Sequence, residues 1–178
     1  MDVQKLYVKH LKLRNGLMSC DEVSHYGHIA DVLALDIRKQ HIVEYEFKSN
    51  STDLKVLEFR KAKYKPHKEY YKSIMTKNWS SRHLVDRAYR EPYRFYFVVP
   101  EALYRKEKKY LEGLNCGVVM YFEKSFKEWI DGKYEDTKVL EFIVMKRCTT
   151  RKKNLQNCQV ALKNIANRLS NIYVYNYL

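Results

Sequence analysis

The first fifty residues change from a helical pattern of apolar positions to a strand pattern. Apolar residues at helical spacing predict a short helix over residues 3–14, closed by Asn15-Gly16. Three runs of strand character follow, and they are Cys20–His25, Ile29–Asp36 and His41–Lys48. A short polar turn, Arg38-Lys39-Gln40, separates the second run from the third, so these two strands are predicted to form a hairpin.

Strands and helices alternate in the rest of the chain. Residues 49–53 are predicted to form a loop that ends with Asp53 as a helix cap, and a long helix with a break or kink at Pro66 should follow. The later predicted strands are Arg94–Val99, Cys116–Phe122 and Val139–Met145. Two further helices are predicted over Glu101–Leu114 and residues 153–170, the last with an apolar stripe of Leu155, Val160, Leu162, Ile165 and Leu169. This order predicts a fold of the broad α/β class. More narrowly, it predicts an α+β arrangement in which helices cover a central sheet of parallel and antiparallel strands.

Length and composition indicate one domain. The chain has 178 residues, and its 5 Gly and 3 Pro do not gather into a linker. We expect a single domain over residues 1–178, with a core at about 3–122 and a C-terminal extension at about 123–178 that holds the last strand and helix. No apolar run approaches the length of a membrane span, which argues against a membrane protein.

The N-terminus and the cysteines indicate a compartment. The first residues contain no apolar stretch of the secretory type, so we expect the protein in the cytoplasm, or in the host-cell cytoplasm if it is viral. The four cysteines form no CxxC pair and no zinc spacing, and we interpret them as free, mostly buried thiols.

The charge predicts a polyanionic partner. The formal net charge is +13, and neutralising phosphates with such a surface releases condensed counterions. DNA is therefore the expected partner, RNA is not excluded, and a merely soluble basic surface is the alternative. The predicted nucleic-acid contacts are Lys61, Lys63, Lys65, His67, Lys68, Arg82, Arg87, Arg151 and Lys152.

The candidate chemistry lies on the predicted hairpin. Glu44, Glu46 and Lys48 alternate with apolar residues and so share one face of the third strand. Asp31 interrupts an otherwise apolar second strand, and the hairpin brings it within reach of Glu46. Converging carboxylates bind Mg²⁺ or Mn²⁺, and a nearby ammonium stabilises phosphoryl charge. A Glu-X-Lys pair alone usually marks a solvated face, so the placement of Asp31 among apolar residues is what favours a site.

These segments resemble a known group. Ile29–Asp36 followed by Ile42–Ser49 resembles the core of the PD-(D/E)XK nuclease superfamily and, within it, the MmcB-like DNA-repair family of bacteria. There too an Ala-Asp strand leads to a Glu-X-Lys strand. A Ser-rich loop with Asp is matched by Ser49–Asp53, and a strand closing in Val-Pro-Glu is matched by Phe95–Glu101. The resemblance covers roughly residues 15–122.

The resemblance implies a restriction-endonuclease-like αβββαβ core, dependence on Mg²⁺ or Mn²⁺, and phosphodiester cleavage. By its pattern Asp31 and Glu46 correspond to metal ligands, the Phe47 carbonyl to a further ligand, and Lys48 to the catalytic lysine. Glu22 corresponds to an upstream acid found in some branches of the superfamily, and the resemblance implies that it too is a catalytic and metal-binding residue.

The sequence departs from the family pattern in three places. Ala30 stands where many members have Pro, and Phe47 replaces the usual Val. Glu44 adds a second acid to the active face, and we prefer Glu46 because only it has the Glu-X-Lys spacing. The stretch beyond about residue 123 has no match.

Several functions are consistent with these observations. The first is a metal-dependent endonuclease that hydrolyses DNA in repair, recombination or mobile-element biology. The alternatives are a non-catalytic nucleic-acid-binding module on the same fold, and a structure-selective nuclease acting on branched DNA or RNA. Cutting both strands of a duplex often takes two active sites, which makes a homodimer a further expectation.

Overall fold

A six-stranded mixed sheet is the centre of the computed structural model, which describes residues 2–15, 17–25, 28–57, 94–114, 116–130, 132–148 and 155–177. Within these described ranges, four helical segments accompany the strands. In chain order the elements are α1 (Val3–Asn15), β1 (Met18–His25), β2 (His28–Asp36), β3 (His41–Phe47), a π-helical turn (Asp53–Leu57), β4 (Arg94–Pro100), α2 (Glu101–Gly113), β5 (Gly117–Ile130), β6 (Lys133–Lys146) and α3 (Leu155–Tyr177).

The strands lie in the sheet in the order of the sequence. β1, β2 and β3 form an antiparallel meander because the chain between them is too short to cross the sheet. β3, β4 and β5 are parallel neighbours, and β6 returns antiparallel to β5. The crossover that parallel strands need is supplied by α2 between β4 and β5. The protein therefore has a mixed α+β fold, as the element order predicts.

One face of the sheet packs against α1. Tyr7 and Leu11, one helical turn apart, are buried against Val43 and Tyr45 of β3. The Tyr7 and Tyr45 rings meet edge to face with 5.0 Å between their centroids. Burial raises the pKa of the Tyr45 hydroxyl well above its usual range. This face is a packed layer rich in aromatic side chains.

The opposite face is covered by α2 and α3. Phe95 and Phe97 of β4 pack with Leu111 of α2, while Leu33 of β2 packs with Ile165 of α3. All five of these side chains are buried. Because β3 alternates, Glu44, Glu46 and Lys48 face this second, helix-covered layer.

The predicted helix over residues 3–14 and the predicted strands of the first half are confirmed within one or two residues. The second half holds the differences. The strand predicted over Cys116–Phe122 continues to Ile130, and the strand predicted over Val139–Met145 begins at Lys133. The expected core boundary near residue 122 therefore falls inside β5, because β5 and β6 form one long hairpin.

The last helix is confirmed, but it continues past the predicted end at residue 170 to Tyr177, and its apolar stripe also differs from the prediction. Ile165 is fully buried, and so is Ala161, which the predicted stripe did not include. Leu162 is exposed, because it lies one residue away from that buried face.

The loop after β3 differs from its prediction as well. The helical turn begins at Ser51, and its cap is Asn50, whose Oδ1 accepts a 2.8 Å hydrogen bond from the Asp53 amide. Asp53 is thus inside the helix rather than its cap. The expected continuation of that helix, with Pro66, lies outside the described residues.

The prediction that the cysteines are mostly buried thiols is confirmed. None of the four cysteines forms a disulfide, and Cys20, Cys116 and Cys148 are buried while Cys158 is partly exposed. Among the helices of the described residues, none combines the length and the apolar character needed to span a membrane.

Candidate active site

The site starts where β2 and β3 separate. The last register pair of this hairpin is Val32 with Tyr45. Beyond this pair, the backbone amide of Phe47 on β3 donates a 2.8 Å hydrogen bond to Oδ2 of Asp31 on β2. Continuing the register places Asp31 opposite Glu46. A side-chain carboxylate has therefore taken the place of a backbone acceptor, and this fixes Asp31 at the end of β3.

The backbone opposite Asp31 is distorted. Glu22 occupies the facing position on β1 and has a φ of 49°, in the left-handed region that side chains other than Gly rarely adopt. The pairs on either side are Asp21↔Val32 and Val23↔Ala30. A left-handed conformation at such a residue costs about 1–2 kcal/mol, so the sheet holds a local strain beside Asp31.

A fully buried ammonium lies next to this point. Lys48 Nζ is 3.3 Å from Oε2 of Glu46, and neither side chain is exposed. Oδ1 of Asp53 is 4.0 Å from the same nitrogen. Buried charges are tolerated only when they are paired, and these two carboxylates are acidic partners within 4.0 Å of the Lys48 nitrogen.

Backbone bonds hold this lysine in place. The Lys48 amide donates a 3.0 Å hydrogen bond to the carbonyl of Val98, which extends the β3–β4 pairing by one residue. Asn50 caps the following turn and so orients Asp53 toward Lys48. Leu54 of that turn is buried in the layer under α2, which anchors the turn to the sheet.

A second ion pair joins the turn to α2. Lys55 Nζ contacts Oε2 of Glu107. The Lys55 hydrogen bond holds the pKa of the Glu107 carboxyl below its usual range. The turn after β3 is thus tied to the sheet by Leu54 and to α2 by an ion pair.

Three of the predicted site residues come together. Asp31, Glu46 and Lys48 meet at the same end of β3, through the contacts given above. Glu44 is fully buried two residues further back, between Leu33 and Phe95 of the neighbouring strands. Glu46 is equally buried, so burial does not distinguish the two acids, and the choice of Glu46 stays a prediction.

Glu22 has a different partner from the one the resemblance implies. Its side chain is 62% exposed, and Oε2 accepts a 2.8 Å hydrogen bond from a guanidinium nitrogen of Arg168 on α3. The role of Glu22 as an upstream metal ligand stays a prediction. In this structure its carboxylate joins β1 to α3.

The predicted nucleic-acid contacts fall outside the described residues. This holds for Lys61, Lys63, Lys65, His67, Lys68, Arg82, Arg87, Arg151 and Lys152.

Sequence reasoning missed two residues near the site. The sequence pattern predicts Asp53 as a helix cap, although its position in a short loop five residues after Lys48 is also a signal for a carboxylate beside that lysine. Arg168 gave no signal, since it lies on a helix far from Glu22 in the sequence.

The carboxylates near Lys48 are oxygen donors of the kind that a divalent cation requires. The described residues contain no group of three or more His, Cys, Asp or Glu side chains arranged to hold a metal ion. Mg²⁺ is often bound through only one or two carboxylates together with waters and substrate phosphates. Asp31 and Glu46 supply two carboxylates with hard oxygen atoms, and the chemistry of this pair fits Mg²⁺ or Mn²⁺.

Comparison with known proteins gives a likeness of fold. No protein-family model matches the chain, and no curated protein matches it. A solved structure, the SPO1766 protein of unknown function from Silicibacter pomeroyi, is similar with a TM-score of 0.54 and 14% sequence identity. The match covers 95% of this chain and 84% of that one. The two chains therefore share a mixed α+β architecture over most of their length.

Proposed function

We propose that this chain is a metal-dependent endonuclease that hydrolyses DNA phosphodiester bonds on a PD-(D/E)XK type of core. One observation carries the proposal. Asp31, Glu46 and Lys48 lie at the same end of β3, where Lys48 donates a hydrogen bond to Glu46. Asp31 accepts a hydrogen bond from the backbone amide of Phe47, the residue between Glu46 and Lys48. This is the residue set that the Glu-X-Lys pattern and its upstream acid predict.

Each residue has a role in the proposal. Asp31, Glu46 and the Phe47 carbonyl would hold Mg²⁺ or Mn²⁺. When bound, such an ion polarises phosphoryl oxygens and lowers the pKa of a coordinated water. The Lys48 ammonium holds Glu46 in position and supplies a positive charge for the scissile phosphate. Asp53 limits the movement of Lys48 from the other side.

The choice of DNA rests on charge. A net charge of +13 on 178 residues favours a polyanion, and the chain has clusters of basic residues, such as Lys61, Lys63 and Lys65, later in the sequence than Lys48. Structure-selective cutting, activity on RNA and a cytoplasmic location stay predictions.

A second candidate function is favoured by the burial of the charged pair. Both Glu46 and Lys48 are completely enclosed, and the described residues show no assembled three-member metal group. A nucleic-acid-binding module that has kept the fold but not hydrolysis would have these properties.

Cleavage of supercoiled plasmid separates the two candidates. The purified protein is incubated with plasmid in the presence of Mg²⁺, Mn²⁺ or EDTA, and the variants Asp31→Asn and Lys48→Met are assayed in the same way. The matched control is Lys124→Met, which removes a lysine from an exposed ion pair. We expect nicking that needs the metal, persists in the control and disappears in both site variants. Nicking that survives either site variant would falsify the residue assignment. DNA binding without any cleavage by the unaltered chain would support the module.

A substrate panel then addresses specificity. Single-stranded, duplex and branched DNA and a matched RNA are offered to the active protein under the same conditions. Preference for a branched substrate or RNA would replace the duplex DNA of the proposal with that substrate, and leave the site assignment unchanged.

A further inference from the structure

The β5–β6 hairpin extends well past the rest of the sheet. The last pair between β4 and β5 is Pro100 with Tyr121, whereas β5 and β6 stay paired as far as Ile130 with Lys133. Residues 122–130 and 133–141 therefore form a two-stranded arm, named so below. With about 3.3 Å per residue, nine paired residues give the arm a length of roughly 30 Å.

The tip of the arm exposes large aromatic side chains. Trp129 is 62% exposed and Tyr134 is 70% exposed. Their rings are in edge-to-face contact, with 4.8 Å between centroids. An isolated two-stranded ribbon is only marginally stable in water, and exposed aromatic clusters commonly mark contact surfaces. The arm thus has the character of a surface that another molecule covers.

The charge of the arm is opposite to that of the chain. Between residues 122 and 141 there are four lysines and six carboxylates, although the whole chain carries +13. Two of the lysines are paired across the arm, Lys124 with Glu141 and Lys138 with Glu123. An acidic ribbon disfavours nucleic acid as its partner and favours a basic protein. This chain is itself such a protein.

A groove at the base of the arm is complementary to its tip. It lies between α1 and β6 and has a volume of about 350 Å³. Apolar side chains make up most of its lining, among them Leu13, which is 73% exposed, and Val139. Lys9 adds a positive charge. An aromatic pair flanked by carboxylates fits such a lining.

We propose that two copies of this chain form a dimer by exchanging arms, with the tip of each arm seated in the α1–β6 groove of the other copy. The tip and the groove lie at opposite ends of one arm. When two arms lie antiparallel across a twofold axis, the tip of each arm therefore reaches the groove of the other copy. Both contacts form together, and this closes the assembly as a dimer. The inference does not depend on the proposed nuclease function.

Sedimentation velocity of the full chain, without DNA, tests the dimer over a wide range of protein concentrations. We expect a dimer whose dissociation constant rises on the order of 10²-fold or more in the tip variant Trp129→Ser/Tyr134→Ser, as for loss of two aromatic hot spots. Leu13→Glu in the groove should weaken it similarly. Ile37→Ser, 55% exposed in the β2–β3 turn, is the matched control and should leave the dimer intact.

Cross-linking tests which surfaces meet. Protein with Tyr134→Cys is mixed with protein carrying Leu13→Cys under mild oxidation, and Ile37→Cys replaces the second partner as the control. We expect a disulfide-linked dimer in the first mixture and little in the control. The tip residues are exposed, so melting curves recorded at a concentration at which the unaltered protein is monomeric should match for all variants and separate weak assembly from misfolding.

Three results would overturn the proposal. They are a monomer at every concentration, a dimer unaffected by both the tip and the groove variants, and a dimer without the specific cross-link. Because none of these measurements uses DNA, failure here is distinguishable from absence of nuclease activity.

Discussion

Asp31 and Phe47 are joined by a hydrogen bond in which a carboxylate, not a carbonyl, receives a strand amide. The distance from the Phe47 nitrogen to Oδ2 of Asp31 is 2.8 Å. The bond ties the predicted metal ligand of β2 to the residue whose carbonyl is the predicted further ligand. One side chain therefore serves both the sheet and the proposed chemistry.

Two substitutions at Asp31 separate these roles. Asp31→Ala removes the acceptor and should lower the free energy of unfolding by about 1–3 kcal/mol, the usual result of leaving a part-buried amide without its partner. Asp31→Asn keeps an oxygen acceptor and should lose less stability. We expect both variants to lose metal-dependent cleavage by on the order of 10²-fold or more. Urea unfolding and plasmid nicking are the measurements, and full activity in Asp31→Asn would contradict the role as a ligand.

The buried Glu46–Lys48 pair predicts strong coupling. Lys48→Met leaves the Glu46 carboxylate enclosed without its nearest cation and should cost about 3–5 kcal/mol of stability. The double variant Glu46→Met/Lys48→Met removes both charges and should recover most of this loss. Lys124→Met, in an exposed pair, is the control and should change stability by about 0–1 kcal/mol. Additive losses in the double variant would show that the two side chains do not interact.

The Lys55–Glu107 pair predicts a dependence of stability on pH. The folded protein has a Glu107 pKa below the ordinary value of 4.5, so the carboxylate stabilises the fold above that pH. This contribution is lost as the pH falls through the lowered pKa, because the folded state must then take up a proton. We expect the melting temperature of Lys55→Met to fall less steeply with acid than that of the unaltered protein. Lys109→Met on α2 is the control, and an identical acid profile in all three proteins would contradict the prediction.

Gly117 predicts a steric limit at the start of β5. A Cβ atom added there would collide with the Tyr96 ring and come within 2.9 Å of the Cys148 backbone nitrogen. The hydroxyl of Tyr96 accepts a hydrogen bond from that nitrogen at 3.4 Å, so the ring has little freedom to move away. Gly117→Ala should destabilise the protein by about 1–3 kcal/mol in urea unfolding. Gly113→Ala, with open space around it, is the control.

The first half of the fold could be predicted because its strands have apolar faces. Val43 and Tyr45 alternate with acids, and a short turn forces β2 and β3 to be antiparallel neighbours. The same register predicted that Asp31 would lie beside Glu46. The hydrogen bond to Phe47 could not be predicted, since it depends on how the strands separate after Val32.

The outer part of the β5–β6 hairpin escaped prediction for a physical reason. Charged residues occur on both of its faces, so no alternation between apolar and polar positions exists there. The Asp131-Gly132 pair, with Gly132 at a φ of 85°, is the one local signal of a hairpin turn. The Glu22–Arg168 contact joins distant parts of the chain, and sequence spacing carries no information about it.

The parallel pairing of β3 with β4 has a consequence for the order of folding. The β1–β3 meander and the β5–β6 hairpin each close through short connections, whereas Phe47 and Arg94 are separated by a long stretch of chain. Closing a long loop is entropically unfavourable and slow, so we expect the two antiparallel units to form early and their junction to be the late step. The Lys48 amide bonds across this junction to Val98. Folding intermediates should therefore contain most of the sheet and still lack the geometry around Lys48.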